Sequence, residues 1–330
     1  RYISYDSRFG GRYRYYRDPE IMESSFGARY IGDMDRIFDT YAHLVPQMQD
    51  FVREQFPKHP DDGDFVYRQA GKAKAFDALR GLLPAASLSN VGIYGTGQAY
   101  EALLLRMRSH PLPESRYYAD LMLRELRKVI PSFLERVDRE DRGVVWSEYL
   151  QETREDTADV VAALFPEGSI VDPSPTVRLV DFDPEGEVKM IASMMYPHST
   201  MSEDQLERRV AGMNHEDRMA VARAYVGDRR NRRHKPGRAL ERPFYRFDVL
   251  VDYGAFRDLQ RHRMLSMDWQ NLSPHHGYIS SPLVNAAGMG PVYEEAMERS
   301  AALYDLLVDD FPDQASYAIN LAYKIRFNMN

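Results

Sequence analysis

The chain has 330 residues and no cysteine, which excludes disulfide scaffolds, thiolate zinc sites and covalent catalysis through a thiol. It also lacks any apolar run approaching the ~20 residues that span a bilayer, and its N-terminus has no signal-peptide apolar core. These absences predict a soluble, cytoplasmic protein with no membrane partner. Basic charge is not in excess: 43 Lys and Arg stand against 50 Asp and Glu, for a net charge of −7. A site for an anion must then come from local clustering, and a general nucleic-acid scaffold is disfavoured. The chain opens at Arg1 rather than Met and stops at Phe327-Asn328-Met329-Asn330 without a polar tail, which reads as an excerpt of something longer.

What is present suffices for a substantial core. The apolar share is 44%, and the length suggests about two domains on a prior of roughly 150 residues each. The opening Arg1 to Asp6 and Arg12 to Arg17 alternate aromatic and basic residues and read as an ordered surface segment. Apolar positions recur at helical spacing over Ile31–Phe51 and Ala73–Leu83. Further helices are expected over Thr96–Met107, before Pro111 and Pro113, and over Tyr117–Val137 with a kink at Pro131. Turn residues concentrate at 165–168 and 172–175, which predicts a boundary between a mostly helical part, 1–171, and an α+β part, 172–330. In the latter, Val177–Phe182 and Phe244–Tyr253 alternate like strands. Asp204–Met213, Glu216–Tyr225 and Ala255–Arg263 read as helices. An ungapped overlay of Pro84–Gly97 on Tyr317–Asn330 matches Ala85 with Ala318, Leu88 with Leu321 and Tyr94 with Phe327, which suggests a duplicated unit of roughly 230 residues.

The densest chemistry lies at Gln260-Arg261-His262-Arg263, followed by Ser266, Asp268, Trp269, Asn271, Ser273, His275 and His276. Two guanidiniums can fork onto phosphate oxygens, and an imidazole between them can donate or accept a proton near neutral pH. On a helix, Arg261 and Arg263 would point in nearly opposite directions and could engage two anions. The plainer alternative is that cations in a last turn complement the helix dipole, with Asp258 as an ordinary partner of His262. The basic run Arg229 to Lys235 could contact RNA, although such runs are usually solvated faces. Gly95-Thr96-Gly97 lacks the rest of a phosphate-loop pattern. His275-His276 lacks companions at metal spacing.

The order His234, Glu241-Arg242, Tyr245, Phe247, Gln260 and then Arg261-His262-Arg263 resembles the signature of the flavin-dependent thymidylate synthases. In that family a Gly-His-x-Ser step, a Glu-His pair and an alternating Phe strand precede Gln-x-x-Arg-His-Arg and a loop closing on Ser-x-Arg-Tyr. Arg-His-Arg is intact here. Departures are Arg242 for the second His, Asp258 for the Gln, Asp268 for an Asn, Asn271 for the Ser, and Ser273-Pro274 or Gly277-Tyr278 for the closing Arg-Tyr. The first part is similar to the other half of the pattern. Arg1-Tyr2 resembles the end of Ser-x-Arg-Tyr, Leu83-Pro84 the family's Leu-Pro step, and Arg108 the Arg that ends its substrate-binding helix. Gly97, Ala99 and Leu103 stand where flavin-contacting Asn, Arg and His belong, and Asn330 resembles that Asn in the second copy.

The resemblance implies an α+β fold of mixed helices and antiparallel sheet, present as complementary parts of two copies and assembled as a homo-oligomer. It further implies reductive methylation of deoxyuridylate (dUMP to dTMP), with methylenetetrahydrofolate, FAD and NADPH as cofactors and no nucleic-acid partner. Arg108 and Arg261 would be catalytic. Substrate would be bound by Arg1, Gln260, Arg261, Ser266 and Arg108, and cofactor by His234, Arg261, His262, Arg263, Asp268 and Asn330. The competing expectations are a catalytically inactive homologue that binds nucleotide or serves structurally, and an RNA-binding protein acting through the 229–235 run.

Overall fold

The computed structural model describes residues 5–165 and 175–330; Arg1 and the turn-rich stretch around 172 lie outside them. Among the described residues the α-helices of the first half are α1 (Pro19–Glu23), α2 (Gly27–Gln55), α3 (Asp64–Leu79), α4 (Gly97–Arg108), α5 (Pro113–Leu126), α6 (Pro131–Leu134) and α7 (Val145–Leu164). Then follow β1 (Val177–Phe182), α8 (Gly186–Met195), α9 (Glu203–Ala211), α10 (His215–Val226), β2 (Tyr245–Asp252) and α11 (Tyr253–Leu259). The chain continues through β3 (Met267–Trp269), α12 (Pro282–Ala286), α13 (Gly290–Leu307) and β4 (Lys324–Met329). No helix among the described residues is long and apolar enough to cross a membrane. The fold is α+β, many helices with one small sheet among the described residues.

Two compact units emerge. The first takes in the described residues of Arg1–Pro173 with Asp252–Gly254 and Asn271–Lys324; the second takes in the described residues of Ser174–Val251 with Ala255–Gln270 and Ile325–Asn330. The units therefore do not follow a single cut near 172, because 271–324 packs with the first.

In the first unit α2 buries Tyr30, Met34, Ile37, Phe38, Tyr41, Leu44, Val45, Met48 and Val52, one stripe at helical spacing. The N-terminal aromatic segment is not a surface feature. Tyr13 and Tyr15 are buried and stack on Phe38 at 5.1 and 5.5 Å. The interleaved arginines turn outward and cover the rings, Arg8 over Tyr13 and Arg17 over Tyr15, so the polar half of the alternation shields its buried half. The helix expected to kink at Pro131 instead breaks. Ile130, held off the helical region by the proline after it, has φ −131° and ψ 52°.

A repeat organises this unit. Tyr16 N–H donates to the Ala86 carbonyl at 2.8 Å and Leu88 N–H to Arg14 at 2.9 Å; correspondingly, Ile279 N–H donates to Ala322 at 3.0 Å and Lys324 N–H to Gly277 at 2.9 Å. In the same register Pro19 and Pro282 open α1 and α12, while Gly27 and Gly290 open α2 and α13. The pairs Tyr30/Tyr293, Met34/Met297, Tyr41/Tyr304 and Leu44/Leu307 are all buried. The repeats also clasp each other reciprocally. Ala85 N–H donates to Ile319 (2.8 Å) and Leu321 N–H to Leu83 (2.9 Å); Ala86 N–H donates to Tyr317 (3.2 Å) and Ala322 N–H to Gly81 (3.0 Å). This is local two-fold pseudosymmetry, with Pro84 bridged to Asn320. The overlay of Pro84 on Tyr317 is thus three residues out of register. Its matches, of alanine, leucine and an aromatic pair, are common residues that recur by chance, and the first repeat's extra length, the end of α2 with α3, falls just before them.

The second unit is a four-stranded sheet in the order β1-β2-β4-β3. β1 and β2 are antiparallel, with Val177 opposite Val249 and a bulge between Leu179 and Asp181; β3 and β4 are antiparallel, with Trp269 opposite Phe327. Phe256 of α11 packs beneath, its ring 4.9 Å from Phe327 and 5.6 Å from Trp269. Helices α8, α9 and α10 close a separate small core of Ile191, Ala192, Met194, Leu206 and Val210. Ser202 and Gln205 begin α9 with a capping box.

Candidate functional site

β2 runs straight into α11, which delivers the cationic sequence to the open end of that helix. α11 stops at Leu259, earlier than its periodicity suggests, so Gln260 to Arg263 lie in a turn rather than on a helical face. The turn is closed by Arg261 N–H to the Asp258 carbonyl (3.3 Å) and His262 N–H to Leu259 (3.0 Å). All four side chains are exposed. Arg261 pairs with Asp258 at 2.9 Å yet keeps 75% of its side chain open to solvent. An exposed pair of this kind is weak and leaves the guanidinium able to meet a second anion.

Beyond the turn the chain returns along β3, and three predicted residues come together there. Asn330 N–H donates to the Ser266 carbonyl at 3.0 Å, Asp268 stands opposite Asn328, and Arg246 Nη1 donates to Asn330 Oδ1 at 3.2 Å. On this face of the sheet lies a groove of about 350 Å³ lined by Val180, Arg246, Asp248, Asp268, Gln270 and Arg326, with Trp269, Phe327 and Asn328. Arg326, largely buried, donates through Nη1 to both oxygens of Asp248 at 3.1 and 3.2 Å. Asn328 Oδ1 is buried with no hydrogen-bond partner, an acceptor whose desolvation a ligand N–H would offset. The exposed Trp269 indole offers a face on which a planar ring can stack. Arg261, His262 and Arg263 are not among the groove's lining residues.

The remaining predicted residues lie elsewhere. His234 sits in an exposed turn where its carbonyl accepts from Arg229 Nε at 2.8 Å and its ring faces Asn231 at 3.1 Å. Glu241 pairs with Arg238, and Arg242 with Glu203 and Glu207 of α9. Arg108, in the first unit, ends α4 with Nε on Asp120 (3.1 Å) and Nη1 on the Val137 carbonyl (3.4 Å). Its guanidinium therefore holds α4 against its neighbours. Arg1 is outside the described residues. Reasoning from the sequence missed Arg246, Asp248, Arg326 and Asn328. The signal was there, since the even-numbered positions of both 244–253 and 324–330 are largely polar while their odd-numbered partners are apolar.

A family model described as thymidylate synthase complementing protein matches residues 1–132 and 178–330. The chain belongs to this family. Its match in two stretches agrees with the repeat. Among curated relatives, a UPF0159 protein of Chlamydia pneumoniae is 39% identical over 99% of the chain and 62% of its own length. One of Chlamydia muridarum is 36% identical over the same shares, and one of Thermoplasma acidophilum is 27% identical over 98% of the chain and 68% of its own length. The chain thus spans less than two thirds of the length of the two chlamydial relatives.

Proposed function

We propose that this chain carries flavin- and nucleotide-binding parts of an enzyme that methylates deoxyuridylate reductively to thymidylate in the cytoplasm, as a homo-oligomer. The observation that carries the reading is Arg261-His262-Arg263 held in a solvent-facing turn at the end of α11. Three successive cationic-capable groups repel one another, and Asp258 answers only Arg261, so an external phosphate is a natural complement. FAD, when bound, supplies the hydride, with methylenetetrahydrofolate as carbon source and NADPH as electron source. For the chain's own residues, Arg261 and Arg263 would hold phosphate oxygens, with His262 donating between them. Gln260 would orient the nucleotide. Cationic charge beside the uracil carbonyl would favour electron build-up at the attacked carbon.

A second reading, an inactive homologue with a nucleotide-binding or structural role, is favoured by α4. Gly97, Ala99 and Leu103 replace polar flavin contacts, and Arg108 is engaged with Asp120 and Val137. The 229–235 run is read as a folded turn rather than an RNA surface, because Arg229 is bonded to the His234 carbonyl.

The purified protein should show the visible absorption of bound flavin and bind deoxyuridylate in calorimetry. Because a hydrogen bond to a charged group contributes on the order of 1.5–3 kcal/mol, Arg261→Ala should weaken binding roughly ten- to a hundredfold. A colourless protein that ignores deoxyuridylate supports the second reading. Unchanged binding in Arg261→Ala removes the site assignment.

A further inference from the structure

The end of α2 and the whole of α3 belong to the first repeat alone. α3 is anchored by Ala75, Phe76, Ala78 and Leu79 at its C-terminal end. Its first half is largely exposed and forms with α2 a groove of about 380 Å³ within the first unit, large enough for a small ligand. Arg68 and Lys72, one turn apart, line this groove and make no ion pair among the described residues. Arg53 lines it too and pairs with Asp50; no carboxylate is a lining residue. Gln49 and Gln69 add two carboxamides that have no hydrogen-bond partner among the described residues. Rings come from Phe65, 68% exposed, and from Tyr67, whose hydroxyl donates to the Phe56 carbonyl at 2.9 Å. On a chain of net charge −7, cations gathered without carboxylates draw anions to one place. Gly71 is a separate sign of a ligand. It stands inside α3, where glycine is a poor helix former. A Cβ there would meet only Val52, at 3.9 Å, an ordinary contact, so the packing of α3 on α2 does not call for a glycine. What Gly71 does is leave the groove wall bare, where another molecule can approach the backbone.

We propose that the groove between α2 and α3 binds an adenine nucleotide. Its phosphate lies against Arg68 and Lys72, and its base stacks on Phe65. A glutamine carboxamide, with donor beside acceptor, answers the amino group and ring nitrogen on one edge of adenine. A phosphate alone would leave the rings and amides unused, and an apolar ring alone would leave the cations unused. Free adenylate and the adenylate end of a dinucleotide share this chemistry. The inference uses no residue of the site proposed above, so the two stand or fail separately.

Calorimetry with adenosine monophosphate on the 330-residue chain tests this. Binding should be measurable at low salt and weaken as salt rises. Arg68→Ala and Lys72→Ala should each lower the affinity roughly ten- to a hundredfold, and Phe65→Ala roughly tenfold, while Arg261→Ala leaves it unchanged. Gly71→Ala should raise the melting temperature by about 2 °C, and Gly71→Leu should abolish binding in a chain that stays folded. Displacement of adenylate by NADPH assigns the adenylate end of a dinucleotide; no displacement assigns the free nucleotide. Adenylate that fails to bind at millimolar concentration overturns the proposal. So does inorganic phosphate that binds as tightly, or binding that Arg261→Ala removes and Arg68→Ala and Lys72→Ala do not.

Discussion

Where one repeat caps its short first helix with Asp18, the other uses Ser281. Asp18 accepts from the Glu20 and Ile21 N–H groups, Ser281 from Leu283. Where one places Gly81 at the clasp, the other places Tyr317. The Tyr293 hydroxyl fills the space beside Gly81, while Tyr317 lies 5.2 Å from the Tyr16 ring and donates to Glu114 at 2.7 Å. The backbone hydrogen bonds of the clasp recur in both repeats, while the side chains around them differ at most positions. The difference teaches that the repeat is held by its backbone pairing and a few buried tyrosines and methionines. Side chains at the clasp are complementary across the pseudo-axis rather than alike.

The two compact units differ in the same currency of buried tyrosine, and the largest effect expected comes from that contrast. Burial pushes the Tyr16 and Tyr323 phenols up to about 12 from an ordinary value of 10, and raises Tyr15, Tyr30, Tyr41 and Tyr293 as well. All belong to the first unit, whereas Tyr196, Tyr225 and Tyr245 of the second are not buried. A phenol with a raised folded value adds stability that is whole below pH 10 and is lost as pH climbs through 10 towards 12. Alkaline titration followed by tyrosinate absorbance and exchange should open the first unit cooperatively in that window while α8–α10 persist. Simultaneous loss of both would erase the distinction.

The clasp itself is broken more locally. A Cβ on Gly81 would come within 2.2 Å of the Tyr293 hydroxyl and 3.0 Å of Ala322, so Gly81→Val should cost about 3 kcal/mol in denaturant unfolding, the upper range for overpacking. A neutral Gly81→Val would mean that the reciprocal bonds at 83–86 and 319–322 are loose. Smallest is the comparison of caps. Asp18→Ala should cost ~1–2 kcal/mol and Ser281→Ala ~0.5–1 kcal/mol. Equal losses would show that the second acceptor bond of Asp18 contributes nothing.

Much of this was legible in the sequence. The helical stripe of 31–51 and the strands at 177–182 and 244–253 follow from local periodicity, whereas the periodicity of 255–263 ran the helix through Arg263 when it ends at Leu259. Three features did not, each for a physical reason. Tyr13 and Tyr15 read as surface because arginine alternates with them, and nothing local says that Phe38 would receive their rings. The repeat hid behind its own insertion, since its strongest pairs, Tyr15/Tyr278, Gly27/Gly290 and Tyr30/Tyr293, stand in a different register from Pro84/Asn320. The groove needed β2 and β4 to be neighbours, and sheet order depends on partners far apart in the chain, which no window of residues contains.

The reciprocal clasp also sets a schedule. Ala85 and Ile319 are separated by roughly 230 residues, so at about 5–20 residues per second the ribosome needs on the order of 10–50 seconds to supply the second strand after the first. Until then Leu83 to Ala86 emerge with their partners unmade. Helix α2 has its local hydrogen bonds within the same first stretch, but the bonds across the pseudo-axis are among the longest-range the chain makes. For a nascent polypeptide the first repeat is an early product whose clasp stays open until the second repeat has been made.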